Sequence, residues 1–179
     1  IHIMIDGFLK FLEFGLYHIV SFSSYDHILF LVVLTVPYAF KDWTRLLLLV
    51  SFFTLGHTLS LLLGVYDIIN LKVNVVEWLI PFTIIIMALY NIFTAGKASK
   101  KSNPIIIVCL VLFFGLIHGL GFANSFEAVV GSDESTLLSI IEFALGIELG
   151  QFVIVFSVLF FGFLGQTIFR FSSRDWVMV

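Results

Sequence analysis

From Pro104 to Phe122 the chain carries no acidic side chain, no lysine and no arginine. An apolar run of roughly 18 residues or more is long enough to cross a bilayer as a helix. In hydrocarbon every backbone amide must find its partner inside the segment, which leaves helices or a closed barrel as the only solutions. Comparable runs lie at about 25–40, 43–64, 75–93 and 137–170. With 60% of residues hydrophobic and 12% charged, against roughly a quarter charged in soluble domains, the expectation is an all-α integral membrane protein. It is a bundle of five transmembrane helices, with six as the alternative, in a single domain over residues 1–179 whose first partner is the lipid bilayer.

The N-terminal stretch differs from the rest. Ile5, Phe8, Leu9, Leu12, Leu16, Ile19 and Val20 form a helical stripe, but Lys10 and Glu13 interrupt it. Residues 1–24 are therefore expected to be an amphipathic interfacial helix and turn, with the Ser21–Ser24 break ahead of the first span. The first residues lack a basic start and a small-residue cleavage site, so no signal peptide is expected. Pro81 is expected in the first turns of its span, where proline is best tolerated. The last apolar segment, Thr136 to Arg170, would make a helix of roughly 50 Å against a hydrocarbon core of about 30 Å. It must tilt, protrude or break, and Gly146, Gly150, Gly162 and Gly165 are the candidate break points.

Lysine and arginine set the orientation. Lys41 and Arg45, then Lys97, Lys100 and Lys101, then Arg170 and Arg174 alternate correctly with five spans and mark the cytoplasmic side. The opposite side holds Lys10 and Lys72 with Asp67, Glu127, Asp133 and Glu134. The C-terminus is thus expected in the cytoplasm. A net charge of −3 without basic clusters excludes a nucleic-acid partner.

Titratable groups then fall at one level. His27 is 14 residues from Lys41, His57 is 14 from Trp43, and His118 is 14 from Pro104. At 1.5 Å per residue each lies roughly 21 Å above the inner edge, in the outer half of the bilayer. An ionisable ring at that depth is a functional-site candidate in its own right. Around His118 the sequence Gly115-Leu116-Ile117-His118-Gly119-Leu120-Gly121 strips away side-chain bulk, so neighbouring helices can approach. Asp26 sits where a carboxylate accepts orphan N–H groups of a helix start. His18 lies on the interfacial helix, and Glu77 begins the third span. Glu148 and Gln151 share a face of the last helix, whereas Glu142 points about 120° away and is the carboxylate to exclude first. Ser51, Thr54 and Thr58 form a polar stripe beside His57.

Imidazoles and carboxylates without thiolate suit a borderline divalent ion such as Zn²⁺, Ni²⁺ or Co²⁺. Cys109 is the only cysteine, and Met4, Met87 and Met178 lie away from the cluster, which disfavours Cu(I). The expected ligand set is His18, Asp26, His27, His57, His118 and Glu148, supported from behind by Glu77, Thr54, Thr58 and Gln151. The bland alternative is that each histidine donates to a backbone carbonyl between helices.

Five segments resemble one family: HIVSFSSYDHILFL from His18, FTLGHTL from Phe53, Val76 to Asn91, FGLIHGLGFA from Phe114, and FALGIELGQ from Phe143. Together they are similar to the HupE/UreJ membrane proteins. The resemblance implies a small polytopic protein of the bacterial inner membrane, associated with nickel supply to hydrogenase and urease. It also implies a metal-handling His…Asp-His motif, which falls on His18, Asp26 and His27. The family's transporters carry proline after the first histidine and a shorter, glycine-bearing spacer. Here Ile19 follows His18, and Ile19 to Tyr25 contains neither residue, as in the branch without an assigned substrate.

Three functions compete. A metal permease would admit the ion from the extracytoplasmic face at His18, Asp26 and His27, and pass it to His57, His118 and Glu148. A metal-dependent intramembrane enzyme would use three histidines and an open position to activate water, with Glu148 as general base. A non-catalytic subunit of a larger membrane assembly would use the metal to hold its helices together.

Overall fold

A computed structural model describes residues 2–69, 71–94, 104–130 and 136–168. Six α-helices follow one another: α1 (His2–Val20), α2 (Tyr25–Thr35), α3 (Trp43–Val65), α4 (Val73–Thr94), α5 (Pro104–Glu127) and α6 (Thr136–Ile168), with short 3₁₀ turns at Phe22–Ser24 and Phe40–Asp42. No strand occurs among the described residues. Segments Phe40–Val65, Val73–Thr94, Pro104–Ala123 and Thr136–Ile168 are each long and apolar enough to cross a membrane. The chain is an all-α, multi-pass membrane protein.

The N-terminal third departs from the simple picture. The helix expected over 25–40 ends at Thr35, and its 11 residues rise only about 16 Å, half a hydrocarbon core. Leu9–Val20 and Tyr25–Thr35 meet at 69° across the Ser21–Ser24 break and are long and apolar enough to cross only as a pair, as a broken span or a re-entrant segment, so the described residues hold four or five spans. The reason α1 can enter the bundle is glycine. A Cβ on Gly15 would collide with the carbonyl oxygen of Phe143, and one on Gly146 with that of Leu12. The two helices thus run side by side in the same direction with their backbones touching. Asn91 secures α2 from the other flank, its Nδ2 donating to the Val33 carbonyl at 2.6 Å.

α6 remains a single helix over 33 residues. Its glycines do not break it: Gly146 and Gly150 are where α1 packs, Gly150 against Ile19. A glycine in a helix costs only about 1 kcal/mol relative to alanine, and backbone contact offsets this where hydrocarbon offers no other bonding partner. Pro81 falls deeper than expected, within α4 rather than at its start. The loop lysines Lys97, Lys100 and Lys101, the acidic pair Asp133 and Glu134, and Arg170 and Arg174 lie outside the described residues.

α3 and α5 also run parallel with backbones touching. A Cβ on Gly56 would strike the Leu112 carbonyl oxygen, one on Gly115 that of Phe53, and one on Gly119 both the His57 carbonyl oxygen and Ser60 Oγ. This small-residue interface carries His57 and His118 inward at one level. Gly121, in contrast, meets only the side chains of Val76 and Ile80. Gly115→Ala and Gly119→Ala are expected to destabilise the detergent-solubilised protein by about 1–3 kcal/mol. Gly121→Ala should cost measurably less, and thermal unfolding of the three variants side by side checks the ordering.

Candidate metal centre

Four helices each contribute one imidazole to a cluster in which His18, His27 and His57 share a point and His118 joins through His27. α1 brings His18 from its last turn, α2 brings His27 from its first, and α3 and α5 bring His57 and His118 from their middles. Ring centroids lie 4.8 Å apart for His18–His27, 5.0 Å for His27–His118, and 5.9 Å for both His18–His57 and His27–His57. His27 is the hub. One ring nitrogen from each of His18, His27 and His57 lies within 4.8 Å of the others. An ion bonded to imidazole at about 2.0–2.1 Å holds its ligand atoms roughly 3.4 Å apart, so small ring rotations bring the three into range.

The surroundings are dry. Phe30 and Phe53 stack at 4.6 Å on one side, and Phe122 and Phe143 stack at 5.1 Å on the other, with Phe122 4.0 Å from His18. The rings of His27, His57 and His118 are buried. Such a box should leave no polar atom unpaired, yet five of its ring nitrogens have no hydrogen-bond partner among the described residues: His18 Nε2, His27 Nε2, His118 Nδ1 and both nitrogens of His57. Each unpaired buried group costs about 1–3 kcal/mol. Imidazole nitrogens are common metal ligands, and His18, His27 and His57 stand close enough together to hold a metal ion. Among the described residues no histidine-to-carbonyl bond is seen at these rings: the bonded nitrogens of His27 and His118 go to side chains, and His57 has none.

Asp26 stands behind His27 rather than beside the other rings. Its Oδ1 accepts from His27 Nδ1 at 2.9 Å and from the His27 backbone N–H at 2.8 Å. It thus takes an orphan amide of the α2 start, as expected of a first-turn carboxylate, although Ser24 occupies the cap position itself. The same oxygen fixes the imidazole with hydrogen on Nδ1, which turns the Nε2 lone pair toward the cluster. A carboxylate that orients a ligating histidine in this way also raises its basicity.

Glu148 and Gln151 lie apart from the rings. Ser51 Oγ donates to Glu148 Oε1, and Thr54 Oγ1 donates to Gln151 Oε1 at 2.8 Å. These bonds clasp α3 to α6. Ser51 precedes His57 by six residues, so this clasp lies roughly 9 Å along α3 toward its N-terminal end. Gln151 keeps a buried, unpaired Nε2. Glu77 is exposed and Thr58 half-buried, and neither bonds to the rings among the described residues. Glu142 is buried in α6. Cys109 is exposed on α5, and Met87 packs in the apolar core.

One participant escaped the sequence reading. Thr83 of α4 contacts His118, with its Oγ1 3.3 Å from Nε2. Thr83, Met87 and Asn91 recur every four residues and are all buried, so the spacing was a usable signal. Glu77 and Pro81, in contrast, are exposed on α4.

A family model described as HupE / UreJ protein matches residues 2–179. No curated protein matches the chain, and no solved structure does.

Asp26→Ala is expected to weaken binding of a divalent transition metal by about 10- to 100-fold without changing helical content. Titration with Co²⁺, read by absorption, and circular dichroism on the same samples check both halves.

Proposed function

This chain belongs to the HupE/UreJ family, and from that premise we propose that it captures a divalent transition-metal ion at His18, His27 and His57 and passes it across the membrane. The observation that carries this reading is the approach of three ring nitrogens to within 4.8 Å, in a box where each of the three rings has at least one nitrogen unbonded among the described residues. The family is associated with nickel and cobalt uptake or delivery, and neutral imidazoles suit Ni²⁺, Co²⁺ and Zn²⁺ alike. In this reading the metal is the cargo.

The site faces the extracytoplasmic side of the bacterial inner membrane, and the C-terminus lies in the cytoplasm. Lys41 and Arg45 beside the start of α3 support that orientation. The ion arrives where α1 meets α2, and Asp26 holds His27 ready while contributing the nearest negative charge. Leaving the imidazoles inward, the ion next meets oxygen ligands. The clasp of Thr54 and Gln151, then Ser51 and Glu148, lies one to two turns along α3, and a carboxylate in hydrocarbon is retained for function or for a partner. At the inner end, a cavity of about 210 Å³ is lined by Thr35, Tyr38, Lys41 and Gln166, where the ion would regain water.

Capture and passage separate by mutation. Purified wild-type protein is expected to carry one equivalent of metal by elemental analysis, and His57→Ala none. Glu148→Gln should retain the ion but lose most uptake into proteoliposomes loaded with a metal-sensitive dye. Uptake by His57→Ala at the wild-type rate would defeat the permease reading.

A further inference from the structure

His118 is as close to His27 as His18 is, 5.0 Å against 4.8 Å between ring centroids, yet its role turns on which nitrogen carries hydrogen. Thr83 decides this. Its Oγ1 lies 2.6 Å from the Ile80 carbonyl oxygen and 3.3 Å from His118 Nε2. A hydroxyl has one hydrogen to give, and a carbonyl oxygen can only accept. The shorter contact is an ordinary O–H···O bond, so the hydrogen goes to Ile80. Toward His118 the threonine oxygen then offers lone pairs alone, and Nε2 must be the protonated nitrogen. Nδ1 therefore keeps its lone pair, and Nδ1 is buried with no partner among the described residues. His27 is set the opposite way, because Asp26 accepts from its Nδ1 and frees Nε2. The two rings meet edge to face at 82°, each with a bare nitrogen.

His118 stands outside the set of His18, His27 and His57 whose ring nitrogens lie within 4.8 Å of one another, and reaches it through His27. We propose that Thr83 is a positioning residue that fixes His118 with hydrogen on Nε2, so that, when the rings close around an ion held by His18, His27 and His57, His118 supplies Nδ1 as a fourth imidazole ligand. The proposal rests on the metal-binding reading above and deepens it. Four imidazoles close the coordination shell of a tetrahedral ion such as Zn²⁺ or Co²⁺, leaving no position for an activated water. A closed shell suits a carrier and not a hydrolase.

The test uses the full chain in detergent micelles. In metal-free protein labelled with ¹⁵N-histidine, NMR is expected to show His118 as the Nε2–H tautomer. Thr83→Val, which keeps the shape and loses the oxygen, should give a tautomer mixture, and Thr83→Ser should restore the single form. Co²⁺ affinity, followed by the tetrahedral absorption bands, should fall about 10- to 100-fold in Thr83→Val and recover in Thr83→Ser. X-ray absorption of the wild-type Co²⁺ protein should count four imidazoles. Hydrogen on Nδ1 of His118, a count of three, or wild-type affinity in Thr83→Val would each overturn the proposal. Wild-type protein that keeps the Nε2–H tautomer but takes up no Co²⁺ would overturn the metal reading and the ligand role together, leaving only the tautomer.

Discussion

Four imidazoles in a phenylalanine box present a problem of unpaired polar atoms. In water each free ring nitrogen would hold a hydrogen bond; between Phe30, Phe53, Phe122 and Phe143 it holds none. Leaving such groups bare costs free energy that packing alone does not return. The bundle gathers them with Asp26 accepting from His27 Nδ1 and Thr83 Oγ1 in contact with His118 Nε2, which leaves five ring nitrogens without partners among the described residues. His18, His27 and His57 stand close enough to hold a metal ion, and the unprotonated nitrogen is the form that ligates.

The helices make this arrangement possible by giving up side chains where they cross. Gly115 and Gly119 bring α5 onto the backbone of α3 on either side of His57, and Gly15 and Gly146 bring α1 onto α6. In lipid there is no hydrophobic drive between helices, so close van der Waals contact and interhelical hydrogen bonds have to supply the cohesion. The Ser51–Glu148 and Thr54–Gln151 bonds add cohesion at the α3–α6 seam. The same groups that hold the helices together thus line a polar seam leading away from the rings.

Periodicity and hydropathy made much of the fold legible. Apolar runs gave α3, α4, α5 and α6 with ends shifted by a few residues, because hydropathy alone decides what can cross a bilayer. The glycine-flanked His118 stretch was readable as a close-packing surface. The N-terminal third was harder. Lys10 and Glu13 made α1 look like a surface helix, while Gly15, whose partner lies 128 positions away at Phe143, gave no local sign of docking. Pro81 and the α6 glycines were similarly judged by local propensity, which tertiary contact overrode.

The sequence by itself determined the solvent of this protein, its all-helical character and the inventory of ring nitrogens and carboxylates it carries into the membrane. These follow from composition and spacing along one chain. Only the tertiary structure decided which of those groups meet: His18, His27, His57 and His118 converge, Asp26 turns behind His27, Thr83 joins from α4, and Glu148 moves away to Ser51. Such choices depend on helix rotation and on contacts between residues as far apart as Ser51 and Glu148. A helical period fixes a side chain's angle about its own axis but not which neighbour that angle faces.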